Sequence, residues 1–101
     1  MSRREPFLDV VWLKDWKASY AKLTADRQKA CDDCAFALVK QAVTPGLRIK
    51  PIQPEKYYFE ARVNSGDRII FRIEGGTIFF FDVVKHDDIG RFGKRPRRVG
   101  S

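Results

Sequence analysis

The chain is 101 residues long, 44% apolar and 33% charged, the make-up of one folded domain and not of a disordered segment. Its longest apolar run, Thr77 to Val84, is broken by Asp82 and is too short to span a bilayer; the N-terminus MSRREPFLDVVW has no continuous apolar stretch of signal-peptide length. Membrane insertion and secretion are therefore disfavoured, and a cytoplasmic protein is expected. The net charge of +7 is unevenly spread: Arg91, Lys94, Arg95, Arg97 and Arg98 crowd the C-terminus with no acid among them. Residues 40–72 hold seven basic against three acidic side chains, whereas 73–90 hold one against four. Two separate basic clusters point to a polyanionic partner, nucleic acid ahead of a membrane. A solvated face with a loose tail is the alternative.

Phe7 to Val11 reads as a short first strand. Trp12, Trp16, Tyr20 and Leu23 recur at helical spacing, with Lys14, Asp15, Lys17 and Lys22 on the other faces, which predicts a short amphipathic helix. Thr24 is an N-cap with Asp26 in the first turn of a second, longer helix. That helix is expected to run to Gln41 or Val43, where Pro45-Gly46 stops it. Cys31 and Cys34 form a C-x-x-C, but no second ligand pair exists for a metal, and the pair falls mid-helix on the stripe of Ala30, Leu38 and Ala42. Core packing is the expected role of both thiols, and no metal or cofactor is expected.

Three strand-like runs follow, YYFEARV, RIIFRI and TIFFFDVV, with short Gly-bearing connections, so an antiparallel meander is predicted. Asn64-Ser65-Gly66 fits a three-residue hairpin with Gly66 left-handed. The resulting register sets Phe59 against Phe71, Ala61 against Ile69 and Tyr57 against Ile73 on an apolar face for the helices to cover. On the other face Tyr58 lies beside Arg72, Glu60 beside Ile70, and Arg62 directly across from Arg68. Like charges opposed on adjacent strands destabilise a sheet. Two readings stay open: an anion sits between the guanidinium groups, or they splay into water or bond Glu60 and Asp67. The last hairpin also has two registers. A three-residue turn puts Ile78, Phe80, Asp82, Val84 and His86 on the arginine face, with Asp82 opposite Arg68. A Gly75-Gly76 turn puts Phe79, Phe81, Val83 and Lys85 there instead.

His86, the one histidine, directly follows the last strand and suits proton transfer near neutrality. A metal site from Asp82, His86 and Asp88 has no dense carboxylate cluster or known motif behind it. The chain has no P-loop, no G-x-S-x-G and no dinucleotide fingerprint. The expected architecture is α+β: a helical hairpin packed on one face of a mainly antiparallel sheet of three or four strands.

In the order helical hairpin, PGLRIKPI, YYFEARV, GDRIIFRI, TIFFFDVVKHDDI, the chain resembles the RelE/ParE toxin superfamily of type II toxin–antitoxin systems. The resemblance covers roughly residues 7–92, giving a single domain over 1–92 and a basic, flexible tail over 93–101. It is better to the mRNA-cleaving, RelE-like branch than to the gyrase-poisoning one, because Arg62, Arg68 and His86 stand where that branch carries functional residues. Lys50 falls where some members have a further active-site residue. Where many relatives carry a tyrosine beyond the final strand, this chain has Gly90; Phe92 offers stacking but no acid–base chemistry. The resemblance implies a metal-independent endoribonuclease that cuts mRNA on the ribosome and is neutralised by a cognate antitoxin. Arg62 and Arg68 would hold the phosphate and His86 would be the general acid, with Glu60 or Lys50 as base. Arg48, Arg72, Lys85, Arg91, Lys94, Arg95, Arg97 and Arg98 are the candidate RNA contacts. Homo-oligomers and toxin–antitoxin hetero-oligomers are both compatible with the sequence. The competing functions are a non-catalytic ParE-like toxin acting on DNA gyrase and a plain nucleic-acid-binding module.

Overall fold

The computed structural model describes residues 7–94 and Pro96. In chain order the elements are β1 (Asp9–Trp12), α1 (Lys14–Ala21), α2 (Ala25–Val39), a 3₁₀ turn (Pro45–Leu47), β2 (Lys50–Pro51), β3 (Phe59–Arg62), β4 (Asp67–Glu74), β5 (Thr77–Lys85) and a 3₁₀ segment (His86–Phe92). The architecture is α+β, as expected. The sheet has five strands in the order β1-β5-β4-β3-β2, one or two more than the sequence suggested. The extra strands are the edges. β1 pairs in parallel with β5 across the helical crossover, and the two-residue β2 pairs with β3.

The first strand is shifted from the expected Phe7–Val11 to Asp9–Trp12, so Trp12 ends β1 and α1 carries only Trp16 and Tyr20 of the predicted stripe; α2 starts as predicted, Thr24 capping it by accepting the Arg27 N–H at 3.3 Å. The end of α2 differs from expectation. Gln41 takes a left-handed conformation (φ 59°), the Gln41 N–H donates to the Leu38 carbonyl, and the Ala42 N–H reaches back to the Ala37 carbonyl. This Schellman closure ends the helix before Pro45 comes into play and leaves Ala42 exposed, off the stripe.

The first hairpin has the predicted register, with Phe59 paired to Phe71, Ala61 to Ile69 and Arg62 to Arg68. Its cause is not Gly66, whose φ is not positive. Instead Asn64 Oδ1 accepts from the Gly66 and Asp67 N–H groups at 2.8 and 2.7 Å, an Asx turn that closes the loop. Pairing starts at Phe59, so Tyr57 does not face Ile73, which is exposed. In the second hairpin Gly75 and Gly76 both have positive φ (57° and 84°), the two-residue turn whose twist suits a hairpin. Its register holds from Glu74–Thr77 to Phe71–Phe80. A bulge between Ile70 and Phe71 then shifts it, pairing Ile70 with Asp82 and Arg68 with Val84. The Gly75-Gly76 register therefore holds for the near half of the strand only; beyond the bulge the pairing fits neither sequence-derived register, and Asp82 faces Ile70, not Arg68.

The helix side buries Trp16, Cys31, Cys34, Ala35 and Leu38 against Ala61, Ile69, Phe71, Ile78, Phe80 and Val83. The thiols lie in this core. Burial pushes Cys31 up to about 12 and Cys34 up to about 11, so both stay protonated near neutrality. The arginine side is not bare. Ile52, Ile70 and Val84 form a second small core there, covered by Ile89 and Phe92 of the last 3₁₀ segment and flanked by Tyr58 and Phe81.

One ion pair ties α2 to the first hairpin loop. Arg27 grips Asp67 with two hydrogen bonds, Nε to Oδ2 at 2.9 Å and Nη2 to Oδ1 at 2.8 Å, and Asn64 Nδ2 donates to Oδ2 at 3.0 Å. Arg27, with help from Asn64, holds the buried Asp67 carboxyl below its ordinary value. A depressed carboxyl stabilises the fold fully above its unfolded value, about 4, and loses that contribution as pH falls through the lower folded value. Asp67→Asn is expected to cost about 1–3 kcal/mol at neutral pH and to flatten the acid limb, read as urea midpoints at neutral and acid pH. Equal acid sensitivity in the variant would remove this pair as its source.

Candidate functional site

Alternation along the strands decides which charges meet. Lys50 on β2 is paired with Glu60 on β3, and Arg62 with Arg68 on β4, so these four share the face away from α2. The His86 N–H donates to the Gly66 carbonyl at 2.8 Å, which holds the start of the last 3₁₀ segment against the first hairpin loop. Arg48 arrives from the 3₁₀ turn in a left-handed conformation (φ 47°, ψ 48°). Together Arg48, Lys50, Glu60, Arg62, Arg68 and His86 line one cleft of about 200 Å³. Four cations and a single carboxylate make it strongly positive. Larger hollows near α2, such as the 370 Å³ one bounded by Leu38, Val43, Ile49, Phe59, Phe71 and Ile73, are apolar and hold no comparable chemistry.

The two opposed arginines are not equivalent. Arg68 Nη1 donates to the carbonyls of Asn64 (2.8 Å), Ser65 (3.3 Å) and Asp67 (3.1 Å), and its Nε lies 3.7 Å from Glu60 Oε1. Its guanidinium is therefore fixed in place before any ligand arrives. Arg62 has no hydrogen bond or ion pair from its side chain among the described residues. Asp67, one of the expected neutralising partners, instead faces α2. Glu60 is buried (7% exposed) within the cationic wall and is the one carboxylate among the six lining residues.

The remaining candidates are dispersed. Arg72 is held by Glu74 (2.7 Å) and the Tyr57 carbonyl (2.6 Å) and stacks over the Tyr57 ring, outside the cleft. Lys85 is paired with Asp67, so the bulge puts it on the helix side, away from the cleft. Arg91 lies 3.5 Å from the buried Asp82 and over the Phe92 ring, while Lys94 is exposed. Arg95, Arg97 and Arg98, most of the basic tail, lie outside the described residues. Gly93, where that tail was expected to begin, is buried, and its carbonyl accepts from the Glu55 N–H. Asp82 accepts from the Ser19 hydroxyl at 2.6 Å and from the Val83 N–H at 2.8 Å, away from any metal-like grouping with His86. Among the described residues no three His, Cys, Asp or Glu side chains form a group that could hold a metal ion.

The turn-closing role of the Asn64 side chain and the Asp82–Ser19–Arg91 linkage were not foreseen from the sequence. Asn two residues before Gly was a visible turn signal; the linkage depends on the bulge and had none. Arg48 carries backbone strain of about 1 kcal/mol, since a side chain is disfavoured in the left-handed region. Arg48→Gly should relieve it and raise the urea midpoint. An unchanged or lower midpoint would remove the left-handed backbone as a source of strain.

No protein-family model matches the chain, and no curated protein matches it in sequence. Solved structures do match in shape. A copper-bound mutant toxin from Helicobacter pylori superposes with a TM-score of 0.69 at 13% identity, over 80% of this chain and 97% of that one. The RelBE2 toxin–antitoxin complex of Mycobacterium tuberculosis gives 0.64 at 20% identity, over 79% and 99%. The E. coli DinJ–YafQ toxin–antitoxin complex gives 0.67 at 16% identity, over 79% and 93%. The chain has the fold of the RelE/ParE-type toxins, as its sequence motifs suggested. Among the described residues no helix is long and apolar enough to cross a membrane.

Proposed function

We propose that the protein is the toxin of a type II toxin–antitoxin pair and that it cleaves mRNA, on the ribosome, without a metal. The observation that carries this reading is the meeting of Lys50, Glu60, Arg62, Arg68 and His86 in one cationic cleft. The substrate supplies its own nucleophile. Its 2′-hydroxyl attacks the adjacent phosphorus as Glu60 takes the proton; Lys50, paired across from Glu60, is the alternative base. Arg68 and Arg62 stabilise the negative charge that builds on the phosphoryl oxygens, and His86 protonates the departing 5′-oxygen. The products are a 2′,3′-cyclic phosphate and a 5′-hydroxyl. Arg48 extends the positive wall along the strand. The partners in this reading are mRNA, the ribosome and an antitoxin chain, which places the activity in the cytoplasm. Structural likeness to toxins seen in RelBE2 and DinJ–YafQ complexes supports the antitoxin.

Cleavage of a defined transcript in translation extract, followed by analysis of the new termini, tests the chemistry. Cyclic-phosphate and 5′-hydroxyl ends are expected. Intact RNA together with inhibited gyrase supercoiling would favour the ParE-like alternative.

The tail beyond Lys94 is assigned to non-specific attraction, its three arginines raising local RNA concentration without entering the chemical step. Deleting residues 95–101 should reduce the salt-dependence slope of RNA binding by about two and leave cleavage at saturating enzyme nearly unchanged. Loss of cleavage at saturation would place the tail in the active site.

A further inference from the structure

A second hollow, of about 310 Å³, opens on the arginine side of the sheet, between Leu13, Lys14 and Asp15 at the start of α1 and the rings of Tyr58, Phe81 and Phe92. The aromatic walls form a corner, not a stack. Phe81 and Phe92 each meet the Tyr58 ring edge to face, at 4.8 and 5.4 Å, both with an interplanar angle of 84°. All three rings are half-buried, so the corner is packed from behind and open in front. Its rim is charged. Lys14 and Asp15 are exposed, and neither side chain has a hydrogen bond or ion pair among the described residues.

The position of the corner relative to the cationic cleft gives it meaning. Tyr58 is two residues from Glu60 on the same face, and Phe81 is three residues before Val84, the partner of Arg68. At about 3.3 Å per residue, Tyr58 lies roughly 7 Å along the chain from Glu60 and Phe81 roughly 10 Å from Val84, spans that an extended RNA strand crosses in one or two nucleotides. A strand whose phosphate lies between Arg62 and Arg68 therefore brings a neighbouring base to the corner.

We propose that this corner is a nucleobase subsite: it takes one unstacked base flanking the phosphate in the cleft, with guanine preferred. The inference rests on the RNA-cleaving reading of the cleft. Bases freed from stacking are held by aromatic faces, which supply affinity for any base. The rim supplies choice. Guanine alone presents two adjacent N–H donors, N1–H and the N2 amino group, to which a carboxylate such as Asp15 accepts side by side, while its O6 accepts from an ammonium such as Lys14. Uracil offers a single N–H flanked by two carbonyls that repel the carboxylate.

The test uses the full-length protein and short single-stranded RNAs made uncleavable by one 2′-deoxy nucleotide, with affinity read by fluorescence anisotropy at low salt. Guanine, inosine, uracil and an abasic sugar are placed in turn on either side of the deoxy position, so that the RNA and not the fold is varied. At one position the abasic sugar should weaken binding about tenfold or more, and guanine should bind about tenfold tighter than uracil. Inosine, which lacks the N2 amino group, should lose that preference, and so should Asp15→Asn, with no further loss when the two are combined. Arg68→Ala should weaken every RNA alike. If Arg68→Ala weakens binding but no position responds to the abasic sugar or to base identity, the subsite is wrong and the cleft reading stands. If Arg68→Ala has no effect, or no RNA binds, both fall.

Discussion

Arg68→Ala is expected to slow RNA cleavage by roughly 10²–10³, the usual loss when one fixed donor is removed from a developing negative charge. The expectation follows from how Arg68 is held. Three loop carbonyls and the neighbouring Glu60 orient its guanidinium in the free protein, so no reorganisation is needed when charge appears on the phosphate. Arg62 faces it from β3 but is unrestrained, and must be ordered by the substrate. Arg62→Ala should therefore cost less, chiefly in KM. Arg68→Lys separates charge from geometry: a point charge on a flexible stem cannot reach the three carbonyls and the phosphate together, so most of the loss should persist. Because those carbonyl contacts also brace the hairpin loop, each variant's urea midpoint must accompany its rate. Toxicity and cleavage that survive Arg68→Ala undiminished would displace the site from this cleft.

His86→Ala is expected to lower the cleavage rate by roughly 10²–10⁴, the range for losing a positioned general acid. Growth inhibition should disappear while the fold remains, because the ring is exposed and the structural contact at this position, to the Gly66 carbonyl, is made by the backbone. Imidazole added to the reaction should restore part of the rate. A leaving group that departs without protonation in wild type would instead leave His86→Ala fully active and imidazole without effect.

Much of this arrangement was legible in the sequence, and the reasons are particular. The loop Asn64-Ser65-Gly66 indicated the first register, and with it the opposed arginines, and period-two alternation from Phe59 to Arg62 and from Arg68 to Phe71 agrees with it, because a one-residue slip would have turned those charges toward the helices. The second register could not be read. Ile78, Phe79, Phe80 and Phe81 are consecutive apolar residues, so each alignment buries some of them, and no local signal marks the bulge opposite Ile70 and Phe71. The same bulge sends Lys85 to the helix side and brings Asp82 to Ser19, neither of which local pattern encodes. Gln41 in the left-handed region ends α2 where Pro45 seemed the stronger stop. Of the site, Arg62, Arg68 and His86 were visible as a set through register and family resemblance. Lys50 was visible through the family resemblance alone and Arg48 only as a charge, since β2 is too short to show alternation.

The fold joins these pieces into a division of labour. The helix side is a closed core of Trp16, Leu38, Ile69 and Phe80, and the buried thiols belong to it. The other side carries a small core under the last 3₁₀ segment, with the cationic cleft at one end and the aromatic corner at the other. Arg91 and Asp82, 3.5 Å apart, join the far end of that segment to β5, while the backbone of His86 joins its near end to the hairpin loop.

The most direct test of the central claim is to map new 5′ ends on a defined mRNA translated in extract with purified wild-type protein and with Arg68→Ala. Discrete 5′-hydroxyl ends within the translated region are expected for wild type, reduced at least a hundredfold in the variant. An unbroken transcript with wild-type protein, or the same ends at the same rate with Arg68→Ala, would contradict the claim.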